Sequence, residues 1–92
     1  MSGGTTRNLR IVNVKGLHAR ASAKLADLVE RFDASAEISR DGMTASGDSI
    51  MGLLMLAASK GTTIEVETRG NEAEPLADAI AALVADKFGE GD

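Results

Sequence analysis

Cysteine is absent, histidine and proline occur once each, and there is neither tryptophan nor tyrosine. Without thiols the chain forms no disulfides and builds no thiolate-ligated zinc or iron–sulfur centre. One imidazole leaves too few soft ligands for a transition-metal site, so no metal and no cofactor is expected. Phe32 and Phe88 are the only aromatics. The core must therefore be aliphatic, and the stacking platforms that bind single-stranded nucleic acid are missing. No apolar run approaches the ~20 residues needed to cross a bilayer, and the first residues carry no apolar signal segment. Membrane insertion is not expected, and a cytoplasmic location is. Positive charge is also short: net charge is −4, which disfavours a nucleic-acid partner.

The charge is uneven. Residues 1–46 hold seven Lys/Arg and five Asp/Glu, and residues 47–92 hold three and nine. A small basic cluster, Lys15, Arg20 and Lys24, flanks the single histidine, His18. That cluster suits a small anion or an acidic partner protein. With 92 residues the chain is one domain, too small for a deep enclosed site. We expect a flexible polar tail over 1–6, the domain over 7–88, and a polar tail over 89–92.

Hydrophobic periodicity orders the elements. Residues 7–14 read as a strand that breaks at Lys15-Gly16. Residues 19–32 carry the clearest helical stripe, Ala21, Leu25, Leu28, Val29 and Phe32. Residues 34–39 and 43–46 read as two strands, joined through the Asp41-Gly42 hairpin signal. Ile50 to Ala58 is a short apolar helix, closed by Lys60-Gly61. Only Leu53, Leu56 and Ala57 can face a core this small. Ile50, Met51, Leu54 or Met55 are left partly exposed, which marks a partner surface. Residues 62–68 alternate as a strand. The last helix starts either near Glu72, with Asn71 and Glu74 as a capping box, or at Pro75. Its stripe is Leu76, Ile80, Leu83 and Val84. The resulting order, β-α-β-β-α-β-α, implies an α+β fold of two layers, a sheet with helices on one face.

The chemistry gathers at Gly16-Leu17-His18-Ala19-Arg20. A neutral imidazole is a nucleophile near neutral pH. Placed at a helix start, a phosphoryl group on it would meet unpaired N–H groups from Ala19 and Arg20 and the positive end of the helix dipole. The Arg20 guanidinium could reach the same oxygens as a fork of donors. Leu17 would lie beside His18 as an apolar contact for a docking protein. The spacing leaves two readings of His18 open, a phosphoryl carrier or a capping histidine without chemistry. Ser49, before the short helix, is in the same way either a plain N-cap or a regulatory phosphorylation site at the edge of the apolar patch.

Gly16-Leu17-His18-Ala19-Arg20, together with Ser49-Ile50-Met51-Gly52-Leu53-Leu54-Met55-Leu56 and the following Lys60-Gly61-Thr62, resembles the HPr family. These are the histidine-containing phosphocarriers of the bacterial phosphoenolpyruvate-dependent phosphotransferase system, and the chain is also similar to their nitrogen-related branch. The resemblance spans about residues 7–88. It implies an open-faced sandwich with antiparallel strand order 1-4-2-3. It further implies a carrier that takes a phosphoryl group on His18 Nδ1 from phosphorylated enzyme I and passes it to a histidine of an enzyme IIA domain. A monomer is expected because the apolar patch is small and assigned to transient docking, with a dimer through that patch as the alternative. Arg20 would assist, Leu17, Lys24, Ile50, Met51 and Leu54 would form the docking surface, and Ser49 would be the target of an HPr kinase/phosphorylase. Two positions depart from the common pattern: Ala21 stands where many members have proline, and Asp48 where many have lysine. The alternative is a non-catalytic regulatory adaptor controlled through Ser49.

Overall fold

The computed structural model describes residues 4–91. Seven elements alternate as expected: β1 Gly4–Arg10, α1 Ala19–Glu30, β2 Ser35–Arg40, β3 Met43–Ser46, α2 Ile50–Met55, β4 Thr63–Arg69 and α3 Ala73–Ala85, followed by a 3₁₀ turn over Lys87–Gly89. The four strands form one antiparallel sheet in the order β1-β4-β2-β3. This is the α+β architecture and the strand order expected above.

Alternation along the strands decides which face is covered. Ala36 and Ile38 of β2, Ala45 of β3, and Ile64, Val66 and Thr68 of β4 point inward and are buried. Glu37, Thr63 and Glu65 point outward to water. Period-2 patterning with one wet face is what an antiparallel sheet allows. The helices close the other face with Leu25 and Val29 of α1, Leu53 of α2, and Leu76, Ile80 and Val84 of α3. Leu28, Phe32 and Leu83, expected within the stripes, are only partly buried at its margin. The short edge strand β3 is joined to β2 by Asp41 and Gly42 at φ 49° and 81°. Positive φ at both central positions is the geometry for which Asp-Gly is selected.

Three boundaries differ from the sequence reading, and a fourth, the start of the last helix near Glu72, is met without its expected cap. β1 pairs with β4 from Gly4↔Arg69 onward, so residues 4–6 of the expected tail are sheet, and the rest of that tail lies outside the described residues. The strand stops at Arg10, although Ile11 N–H still bonds Thr62 O at 2.9 Å. Residues 12–14 leave the ladder because the chain must turn toward α1. The second helix ends at Met55, well before Lys60-Gly61. Ala57 at φ 51° turns the chain, and the Arg40 guanidinium bonds Leu56 O at 3.0 Å, a long-range cap that no local pattern announces. The last helix begins at Ala73 without a side-chain cap. Asn71 and Glu72 are used elsewhere: Asn71 Nδ2 donates to Asp33 Oδ2 at 2.8 Å, and Glu72 Oε1 accepts the Asp33 N–H at 2.6 Å. The start near Glu72 is realised and the start at Pro75 is not; the capping box is missing because the α1–β2 turn takes the Asn71 side chain.

The C-terminal end departs most from expectation. Lys87 and Phe88 both have positive φ, 57° and 55°, and Phe88 is fully buried. Left-handed backbone at a bulky residue costs roughly 1–2 kcal/mol. Burial of an aromatic side chain offsets it at about 1.5–3 kcal/mol. The chain thereby reverses after α3, and residues 89–91, expected as a polar tail, fold back over the start of α1.

Candidate functional site

The loop between β1 and α1 places the histidine. Gly16 N–H bonds Asn13 O at 3.2 Å, with Gly16 itself at φ 65°. Leu17 then turns inward, almost fully buried, with its N–H on Ala58 O at 2.8 Å. His18, in extended backbone, is the N-cap of α1. Its carbonyl accepts the first helical bond, from Ser22 N–H at 2.8 Å, while Ser22 Oγ bonds Leu17 O at 3.1 Å. The bend after Gly16 turns Leu17 inward and leaves His18 facing out.

The imidazole side chain is 26% exposed. Its Nδ1 accepts the backbone N–H of Arg20 at 3.3 Å, a long bond that is easily given up. A neutral ring that accepts at Nδ1 carries its proton on Nε2. Nε2 faces Oε2 of Glu90 in a direct, short contact. The second Glu90 oxygen accepts from Asn13 Nδ2 at 3.1 Å, and Asn13 is fully buried. Asn13 and Glu90 were not foreseen in the sequence. One lay in the expected strand and the other in the expected tail, and 77 residues separate them.

An open depression of about 590 Å³ lies over this ring. Lys15, His18, Arg20 and Lys24 line it on one side and residues 89–91 on the other. Lys24 Nζ is tied to Phe88 O at 2.6 Å, which joins α1 to the reversed C-terminal segment. The Arg20 guanidinium makes no ion pair among the described residues. Among the described residues three cations face one carboxylate there, beside the α1 N-terminus, whose N–H groups and dipole add positive potential.

Ser49 is the N-cap of α2, with Oγ accepting Gly52 N–H at 3.0 Å. Asp48 before it accepts from Ser46 Oγ at 2.5 Å. Leu53 anchors α2, while Ile50 is 42%, Met51 69% and Met55 67% exposed. Leu54 is half-buried. α2 packs on α1 and β3, and the segment after it holds the loop before His18 through Ala58 O.

A family model described as the PTS HPr component phosphorylation site matches residues 5–86. The chain belongs to the HPr family. It is 46% identical over 86 residues to the phosphocarrier protein HPr of Cupriavidus necator, spanning 94% of this chain and 97% of that one. It is equally identical, over 84 residues, to the phosphocarrier protein NPr of Shewanella violacea, spanning 91% and 92%. Among solved structures, an HPr of Thermoanaerobacter tengcongensis superposes with a TM-score of 0.91 at 28% identity, covering 96% of this chain and 99% of that one. The HPr of Bacillus anthracis does so at 0.85 and 34%, covering 89% and 98%.

Within this HPr fold, the residues expected at the surface separate into two groups. Ile50 and Met51 are exposed, Leu54 is half-exposed, and Lys24 lines the depression. Leu17 does not belong with them: at 4% exposure it is a core residue, and the apolar side chain open beside the histidine is Val14, 60% exposed. The pattern around a histidine cannot show which neighbour turns inward, because that depends on where Gly16 bends the chain. Among the described residues no three potential metal ligands converge, and no helix is long and apolar enough to cross a membrane.

Proposed function

We propose that His18 is the phosphoryl-carrying residue of this phosphocarrier. It receives the group on Nδ1 from phosphorylated enzyme I and delivers it to a histidine of an enzyme IIA domain. The observation that carries this reading is Nδ1, which accepts the first-turn N–H of Arg20 in a depression lined on one side by Lys15, Arg20 and Lys24. A phosphoryl group arriving at Nδ1 takes over that N–H and gains the neighbouring first-turn amide of Ala19 as a further donor. The Arg20 side chain closes on it from solvent. Such stabilisation is moderate, as a carrier that must release its group requires. The same reading makes the protein a cytoplasmic monomer that docks its partners transiently.

The test is incubation with enzyme I, magnesium and phosphoenolpyruvate, read by intact mass. One added phosphoryl group, labile in acid and stable in alkali, is the expected product. Absence of transfer to folded protein overturns the reading. Arg20→Ala should keep the fold and slow transfer by roughly 10- to 100-fold, the scale of one charge-assisted donor in a transition state. An unchanged rate would remove Arg20 from the site.

Docking is proposed on Val14, Ile50, Met51 and Leu54, with Lys24 at its basic margin. Ser49 is the proposed regulatory position, phosphorylated by an ATP-dependent HPr kinase/phosphorylase. A phosphate there keeps company with the α2 N-terminus, yet puts two negative charges beside Ile50 and Met51. Ser49→Ala loses the cap to Gly52 and should cost about 1 kcal/mol in urea unfolding. Ser49→Asp retains a capping oxygen and should stay within a few tenths of wild type. It should nevertheless raise the KM for this carrier in the enzyme I assay. Equal KM values for the two variants would separate Ser49 from docking.

A further inference from the structure

The groups on the Nε2 side of His18 take no part in the chemistry above. Glu90 sets one oxygen on Nε2 and the other 3.1 Å from Asn13 Nδ2. Asn13 Nδ2 also donates to Gly16 O at 2.8 Å. The amide can sit only this way round, because flipped it would aim Oδ1 at a carbonyl and a carboxylate, two acceptors. In this orientation Oδ1 is buried with no hydrogen-bond partner among the described residues. A leucine would fill the same space without an orphaned oxygen, so packing does not account for an amide here. The amide ties the Gly16 turn with one bond and holds Glu90 with the other.

We infer that Asn13 and Glu90 form a positioning clamp for His18. Asn13 anchors the carboxylate, and the carboxylate accepts Nε2–H, so the ring proton stays on Nε2 and the Nδ1 lone pair stays available. The clamp rests on the carrier reading and deepens it. When the group arrives, the Nδ1 lone pair forms the bond to phosphorus, and the donor–phosphorus bond breaks with its electron pair remaining on the donor. No proton leaves His18. The ring becomes positive, and Glu90 already faces that charge. On delivery the phosphorus–Nδ1 bond breaks, its electron pair stays on Nδ1, and the ring is again neutral with Nε2–H in place. Glu90 touches neither phosphoryl group nor donor and acts only through the ring. The buried Phe88 and the bond from Lys24 to its carbonyl bring Glu90 to the ring from the far end of the chain.

The experiment compares full-length wild type with Glu90→Ala, Glu90→Gln and Asn13→Ala, each shown folded by thermal melting. Ring ¹⁵N NMR without any phosphoryl donor reads the clamp directly. A slowly exchanging Nε2–H signal is expected in wild type and in Glu90→Gln, whose amide carbonyl accepts the same proton, and not in Glu90→Ala. In the enzyme I assay Glu90→Ala should lose about tenfold in kcat/KM and Glu90→Gln about threefold at most, the scale on which a carboxylate orienting a working histidine matters. Asn13→Ala should fall in the same direction, and the double variant should be no slower than Glu90→Ala alone. Glu90→Ala with the wild-type signal and rate overturns the clamp, and additive losses overturn the anchoring role of Asn13. If wild type itself accepts no phosphoryl group, the carrier reading fails, while the Nε2–H signal still decides the clamp.

Discussion

His18→Ala should leave a folded protein to which enzyme I transfers nothing. The chain has one imidazole and no thiol, so no second side chain supplies a comparable nucleophile. The loss is therefore complete rather than graded. The fold survives because the capping bond from Arg20 N–H to Nδ1 is long, 3.3 Å, and the ring is partly in water. Removing it should cost about 0.5–1 kcal/mol, at the weak end for an N-cap. A melting temperature lower by roughly 2–8 °C follows for a domain of this size. His18→Asn sharpens the comparison, since asparagine is a strong N-cap and should return the lost stability without restoring transfer. Intact mass after incubation with enzyme I and phosphoenolpyruvate, beside a melting curve, measures both. Acid-labile phosphate on His18→Ala would place the acceptor elsewhere. Phosphate confined to Ser49 in the presence of ATP, with no transfer to wild type from enzyme I, would move the weight to a regulatory adaptor.

Gly16→Ala should be the most damaging single-methyl change to stability in the loop that carries the site. Gly16 stands at φ 65°, and a Cβ there would lie 2.4 Å from Ala58 O and 2.9 Å from Ser59 Cα. Both obstacles are backbone, and Ala58 O is held by the Leu17 N–H, so neither can swing aside. Left-handed strain alone accounts for roughly 1–2 kcal/mol. With the clash, the expected loss is about 3 kcal/mol or more, out of the 5–15 kcal/mol typical of a domain. The melting temperature should fall by roughly 12–24 °C. Gly42→Ala is the control: φ is 81°, yet nothing lies within 4 Å of the added carbon. Only the strain term applies there, so about 1–2 kcal/mol is expected. Urea unfolding of the pair reads the steric term as their difference. Equal losses would show that the approach to Ala58 is unimportant. Because His18 lies two residues on, any folded fraction of Gly16→Ala should also transfer more slowly.

Much of this was legible beforehand. Alternation in residues 62–68 and the stripe Ala21, Leu25, Val29 survive folding because both report a face against one core, a local consequence of period. Asp41-Gly42 was legible because its turn needs dihedrals that few dipeptides adopt. His18 at the start of a helix, with Arg20 two positions on, was visible for the same reason, since a cap is a local structure. What failed was not local. The motif puts Leu17 at the surface, and it is core. Composition makes residues 89–92 a tail, and residues 89–91 line the site. The second helix stops under a bond from Arg40, on another element.

By itself, then, the sequence determined the element order, the aliphatic core, the single imidazole and the helix start on which it sits. Each is encoded within a few neighbouring residues by period, dihedral preference or chemical type. Only the tertiary structure decided which side of the loop faces water, that the chain reverses at Phe88, and that Glu90 and Asn13 meet across 77 residues at the ring of His18. Those outcomes come from packing a whole chain around one core. No window of neighbouring residues contains the partners involved.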